Sequence, residues 1–197
     1  MTRIDLASEK ERVRRRVLQL RDQQTIAELE TKSLQITESI FKLPEYRKAK
    51  TIASYVDKGS EAQTKTLIRK ALSSRKKVLV PIVDREDHKL LFSQIRDLKE
   101  LAPGSFGILE PKANTTRISR LENADLMLVP GIAWDVNGYR IGWGKGYFDI
   151  VLKQLPDKTA SIGLAFEIQL VDHVPHAQFD LPVKILVTEK RVAHCHD

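Results

Sequence analysis

Two rhythms of apolar residues run along this chain. Over residues 5–21, Val13, Val17 and Leu20 recur at helical spacing and share one face. Residues 25–42 repeat the pattern with Ile26, Leu29, Ile36, Ile40 and Phe41, and Pro44 closes that helix. Beyond it the apolar residues gather into short runs without polar alternation: Thr51–Val56, Val78–Val83, Leu126–Val129, Ala160–Ala165 and Ile185–Val187. Such runs suit strands buried on both faces. A helix over 63–73, with Leu67, Ile68 and Leu72 inward, joins the first two as a right-handed βαβ unit. Pro81 predicts an edge or a strand end. Leu90–Ile95 pairs back across the polar turn Asp84–His88 as a hairpin. Residues 101–111 read as a loop, Leu121–Ala124 as the lead into the central strand, Glu167–Val171 as a short helix or turn, and 193–197 as a loose tail. The predicted fold class is a single-domain α/β protein with a largely parallel sheet and two N-terminal helices within residues 1–43.

Composition narrows the partners. The 197 residues are 42% hydrophobic and 30% charged, as in globular chains. A net charge of +7 favours anionic ligands: a nucleotide, a polyglutamylated cofactor or nucleic acid. The single cysteine, Cys195, rules out an internal disulfide framework. No run of 18 apolar residues exists and the N-terminus is highly charged, so a soluble, cytoplasmic protein is expected.

The chemistry concentrates between Asp125 and Leu152. The strand Leu126–Val129 ends at Pro130-Gly131, and an Asn137-Gly138 turn follows. Then come Gly142, Gly144 and Gly146 at alternate positions, Lys145 among them, and a helix opening at Tyr147. Glycines let successive amides turn inward around an anion, and a helix start adds its positive dipole end. Arg140 and Lys145 add full charges. The pattern is neither a Walker loop nor the dinucleotide fingerprint. It reads as a phosphate-binding loop, with a tight strand-to-helix turn as the plain alternative. On the first helix Lys10, Arg14 and Arg21 fall within about 40° of one another, so they point one way or form a solvated basic face.

These motifs, in order, resemble the 5-formyltetrahydrofolate cyclo-ligase (5,10-methenyltetrahydrofolate synthetase) family. The stretch VPGIAWD…GYRIGWGKGYFD is similar to the family's VPGLAFD…G-x-RLGRGxGYYD. Lys10-x-x-x-Arg14 resembles its N-terminal K-x-x-x-R. Ser60-Glu61-Ala62-Gln63-Thr64 resembles G-E-x-x-T, and residues 106–111 resemble F-G-I-x-E-P. Val187-Thr188-Glu189 resembles the closing V-T-E. The resemblance implies a three-layer α/β/α fold. It also implies ATP- and magnesium-dependent conversion of 5-formyltetrahydrofolate to 5,10-methenyltetrahydrofolate through a phosphorylated formyl group. Lys10, Arg14 and Arg140 then face phosphate, with Arg140 and Lys145 the expected catalytic cations. The nucleotide lies along Ile141, Gly142, Trp143, Gly144, Gly146, Tyr147 and Phe148. Asp149 matches a magnesium ligand, or serves its helix start as a first-turn acid. Val56 and Glu61 match folate-contacting positions, although Glu61 also suits a helix cap. Tyr147 or Trp134 is a candidate to stack on the folate, with the core as the other place for either ring.

Four positions depart from the family pattern. Trp143 stands where the family has arginine, and Lys184 where it has a second acid near the C-terminus; Phe148 replaces tyrosine and Trp134 phenylalanine. Lys184 either faces the cleft and supplies positive charge, or points to solvent. Asp172-His173-x-x-His176 lacks an obvious third metal ligand and Pro175 argues for a loop. His194-Cys195-His196 reads as a tail without a biological metal site. The small-molecule partner expected is 5-formyltetrahydrofolate, with no nucleic acid or membrane partner and a monomer. The alternatives are a paralogue taking ATP with another pterin, and a non-catalytic nucleotide- or RNA-binding protein using the basic helix.

Overall fold

The computed structural model describes residues 3–195. Its helices are α1 (Arg3–Asp22), α2 (Ile26–Lys42), α3 (Pro44–Lys48), α4 (Lys65–Ser73) and α5 (Tyr147–Gln154). The parallel strands are β1 (Thr51–Ser54), β2 (Lys77–Asp84), β7 (Leu126–Val129), β10 (Ala160–Leu164) and β11 (Ile185–Val187). Antiparallel additions are β3 (Lys89–Ile95), β6 (Ile118–Ser119) and β12 (Val192–His194). Two small hairpins stand apart: β4 (Leu101–Pro103) with β5 (Leu109–Pro111), and β8 (Ala133–Trp134) with β9 (Arg140–Ile141). The main sheet runs β12-β11-β10-β7-β1-β2-β3-β6.

Local chemistry explains the boundaries. At α2, Thr25 Oγ1 accepts from the Glu28 amide at 3.2 Å while the Thr25 amide donates to Glu28 Oε2 at 2.8 Å, a reciprocal capping box. Pro44 ends α2 but also opens the extra helix α3, since proline is well suited to a first turn. Alternate residues of the central strands feed two different cores. Ile52, Leu126, Leu128 and Ile162 meet α2 and α4. Ala53, Met127 and Val129 meet Val151 and Leu152 of α5 on the other face. Burial on both faces is why these strands read as unbroken apolar runs. The mixed α/β architecture is the one predicted, with helices on both faces.

Three expectations change. β2 is not an edge strand: β1 pairs with it only as far as Leu79, and Pro81 lies beyond that ladder, opposite Phe92 of β3. The 101–111 segment is a hairpin rather than plain loop. The tail is not loose through Cys195, because β12 pairs with β11 and Cys195 is buried; residues 196–197 lie outside the described residues.

The chain leaves β1 through α4 toward one side of the sheet and leaves β7 through α5 toward the other. β1 and β7 are neighbours, so a topological switch point opens between their carboxyl ends.

Candidate active site

A cleft of about 830 Å³ sits at that switch point. Tyr55 and Val56 enter it from the end of β1, and Pro130 and Gly131 from the end of β7. Helix α1 closes one wall: Val17 packs with Ile132, Ala133 and Ile141, setting α1 against the β8–β9 hairpin. That docking turns Lys10 and Arg14 into the cleft.

The glycine loop forms the floor. Gly144 and Gly146 adopt φ of 81° and 71°, the left-handed region that favours glycine. Gly142 differs, because its φ is ordinary and a Cβ there would meet no atom within 4 Å. Nothing in the fold asks for glycine at 142, and its backbone faces open space. Arg14 Nε donates to the Gly142 carbonyl at 2.8 Å and its guanidinium also pairs with Glu11. Arg14 therefore shapes the loop as well as charging it.

Every other expected cation is placed nearby. Lys10 Nζ pairs with Asp180 at 2.6 Å. Arg140 is buried; its NH2 donates to Asp149 Oδ1 at 2.6 Å and its NH1 to the Leu181 carbonyl at 2.9 Å. Burial pulls the Arg140 pKa down, and Asp149 opposes that shift. Lys145 is exposed at the cleft and its ammonium has no partner among the described residues. Ile141 and Phe148 border the cleft while packing into the cores, so their side chains support the loop. Asp149 lies in the first turn of α5 and lines the cleft.

At the opposite end Glu61 Oε2 accepts from the Lys58 amide at 3.0 Å, and Glu61 Oε1 accepts from Trp143 Nε1 at 3.4 Å. Burial raises the Glu61 pKa; the Lys58 amide and Arg21 act against it. Arg21 is itself buried, donating from Nε to Ser60 Oγ at 3.0 Å and lying 5.9 Å from the Trp143 ring. Lys10 and Arg14 of the α1 stripe are thus a cleft wall rather than a solvated face, while Arg21 is buried behind that wall and supports it through Ser60 and Trp143.

Two positions fall outside the cleft. Trp134 is fully buried, its indole filling a slot that exists because Gly131 and Gly163 carry no side chain; a Cβ on either would lie 2.5 Å from the ring. It is a core residue and does not face the cleft. Lys184 precedes β11, on the rim opposite the carboxyl ends, and Nζ donates to the carbonyls of Asp157 and Thr159. It lies outside the cleft.

Residues that sequence reasoning passed over lie on the walls or brace them. His88, at the tip of the β2–β3 hairpin, stacks on Tyr147 at 4.6 Å, and its Nε2 lies 2.8 Å from the Lys145 carbonyl. Leu90, Phe106, Ile108 and Phe179 give the cleft an apolar side. Phe106 has φ of 56° and is half-exposed, and it lies within the F-G-I-x-E-P stretch that could have flagged it.

No helix among the described residues is long and apolar enough to cross a membrane. A 5-formyltetrahydrofolate cyclo-ligase of Haemophilus influenzae is 30% identical over 176 residues, 88% of this chain and 94% of the relative. That of Escherichia coli K12 is 29% identical over 183 residues, 92% of this chain and 97% of the relative. The NMR structure of Aquifex aeolicus 5,10-methenyltetrahydrofolate synthetase superposes with a TM-score of 0.84 at 32% identity, covering 95% of this chain and 93% of that one. Residues 6–189 match the 5-formyltetrahydrofolate cyclo-ligase family throughout, and the chain belongs to that family.

Proposed function

We propose that this chain closes 5-formyltetrahydrofolate to 5,10-methenyltetrahydrofolate at the expense of ATP, in the cleft between Glu61 and Asp149. The observation that carries the reading is one continuous cavity with a cationic glycine cradle at one end and a carboxylate in an apolar wall at the other. The cradle suits a polyphosphate: amides of the loop approach it where Gly142 leaves space, and Lys10, Arg14, Arg140 and Lys145 surround it. Glu61 suits the amino-pyrimidine edge of a pterin, a donor array matched to a carboxylate. Val56, Phe106 and Ile108 offer the apolar surface that aromatic rings require.

The residues also fit magnesium. Asp149 presents a carboxylate at the cleft with one oxygen on Arg140, and this ion is commonly held by one or two carboxylates plus substrate phosphates. When bound it neutralises charge on the phosphate oxygens. The chain's own contribution is positional: it brings the terminal phosphoryl group to the formyl oxygen and screens the oxygen charge with fixed cations. Arg140 is well made for that task, because burial between Asp149 and the Leu181 carbonyl leaves it little freedom.

The test mixes purified protein, ATP, magnesium and 5-formyltetrahydrofolate and follows absorbance of the methenyl product. Product above the protein-free rate, dependent on ATP, supports the reading. ATP binding without product points instead to a paralogue with another acceptor.

A further inference from the structure

Away from the cleft, the structure brings a buried carboxylate to the histidine pair at 173 and 176. We propose that Asp135, His173 and His176 form a binding site for a transition-metal dication of the zinc class.

One ligand-type atom from each of the three residues lies within 4.8 Å of the other two. A tetrahedral ion with bonds of about 2.1 Å spaces its ligands roughly 3.4 Å apart, so closing the site takes only a small side-chain movement. His173 is exposed and free to make it.

Asp135, which is buried, and His176, which is half-buried, are already oriented. Asp135 Oδ1 accepts from the amides of Asn137 at 3.0 Å and Tyr139 at 3.1 Å, and Oδ2 accepts from Val174 at 3.0 Å. A carboxylate has about four acceptor positions, so these three bonds leave one, on Oδ2. His176 Nδ1 is 2.8 Å from the Val174 carbonyl, which fixes Nδ1 as the protonated nitrogen and leaves Nε2 with its lone pair. A backbone carbonyl on the non-ligating nitrogen is the usual support of a metal-binding histidine. Tyr139 stacks on the His176 ring at 3.7 Å and 7°, holding its plane. Val174 thus contacts both residues through its two backbone groups.

The His173 ring sits 5.3 Å from the His176 ring, edge-on, and has no hydrogen bond among the described residues. Two imidazoles and one carboxylate favour zinc, cobalt or nickel over magnesium. The site is separate from Asp149, since none of its three residues lines the cleft. It does bear on the cleft indirectly: four residues past His176, Asp180 pairs with Lys10, and the next carbonyl, Leu181, holds Arg140.

Zinc and cobalt are the probes, titrated into chelator-treated full-length protein without nucleotide or folate. The expected result is one equivalent of zinc bound, a rise in melting temperature with zinc, and visible absorption from bound cobalt beyond that of the free ion. His173→Ala and His176→Phe each weaken zinc binding about tenfold or more. Phenylalanine keeps a ring over Tyr139, and unchanged metal-free melting shows that each variant folds. Should His176→Phe not fold, the exposed His173→Ala decides alone. A double alanine variant at His194 and His196 binds as the parent does. Variants at 173 and 176 that titrate like the parent, zinc binding lost only with the 194/196 change, or no saturable one-to-one binding overturns the proposal.

Discussion

Trp143 Nε1 donates to Glu61 Oε1 at 3.4 Å, so the tryptophan of the glycine loop reaches the carboxylate at the other end of the cleft. A pterin that engages Glu61 comes up against that indole. Trp143 is 58% exposed and the only other tryptophan, Trp134, is fully buried, so a fluorescence change on titrating 5-formyltetrahydrofolate reports Trp143. The expected outcome is a saturable change that Trp143→Phe abolishes. A change that persists in that variant would place the signal at Trp134 and break the proposed link.

Lys10→Ala and Arg14→Ala are each expected to weaken ATP binding while leaving the fold intact. One charge-assisted contact is worth about 1.5–3 kcal/mol, which is roughly ten- to a hundredfold in affinity. Arg14→Ala has the larger effect, because it also frees the Gly142 carbonyl. Calorimetric titration with ATP alongside thermal melting checks both points. Equal affinity in parent and variants would return α1 to a purely structural role.

Glycines 142 and 144 separate ligand space from backbone strain. Gly142→Ala places its Cβ in open space at an ordinary φ, so melting is unchanged and ATP affinity falls. Gly144→Val forces a β-branched residue to φ of 81°, costing about 1–3 kcal/mol, and lowers the melting temperature as well. Normal ATP affinity in Gly142→Ala would show that no ligand approaches there.

Much of this site was legible because its signals are local. The runs at 126–129 and 160–164 carry no polar residue on either face except Ser161, and the glycine loop adjoins its helix. Lys10 and Arg14 sit one turn apart. What escaped depends on partners far along the chain. Trp134 follows a glycine-containing turn much as a cleft aromatic would, but its slot is completed by Gly163, which only sheet pairing brings beside it. His88 reaches the glycine loop across 57 positions. Asp135 joins His173 and His176 the same way, which is why the pair looked short of a third ligand. Lys184 was readable in principle: it precedes a parallel strand, and such positions lie on the rim away from the ligand. Lys184→Ala should therefore leave ATP and folate binding unchanged.

The tail offers a chemical check on its order. Burial, with Asp135 adding to it, raises the Cys195 thiol to about 11. Little thiolate then exists at neutral pH, and Cys195 should react with a thiol reagent much more slowly in the native protein than in denaturant. Equal rates would restore the loose tail.

Glu61 carries the last prediction, in which stability and binding move in opposite directions. Burial raises its folded-state pKa above the unfolded value. Between the two values the folded state holds more protons than the unfolded state, so stability falls as pH rises through that window. Below the unfolded carboxylate range both states are protonated and the penalty is absent; above the raised pKa it is complete. Glu61→Gln removes the ionisation while its amide oxygen can still accept from the Lys58 amide. At pH 7.5 the variant should melt above the parent, and the gap should close as pH is lowered through the carboxylate range. Folate affinity should fall, because a neutral amide replaces the charged acceptor for the pterin's donors. Melting curves across pH and folate titration at pH 7.5 measure both effects. A gap independent of pH would mean that Glu61 does not ionise against a desolvation cost, and unchanged folate affinity would remove it from the binding site.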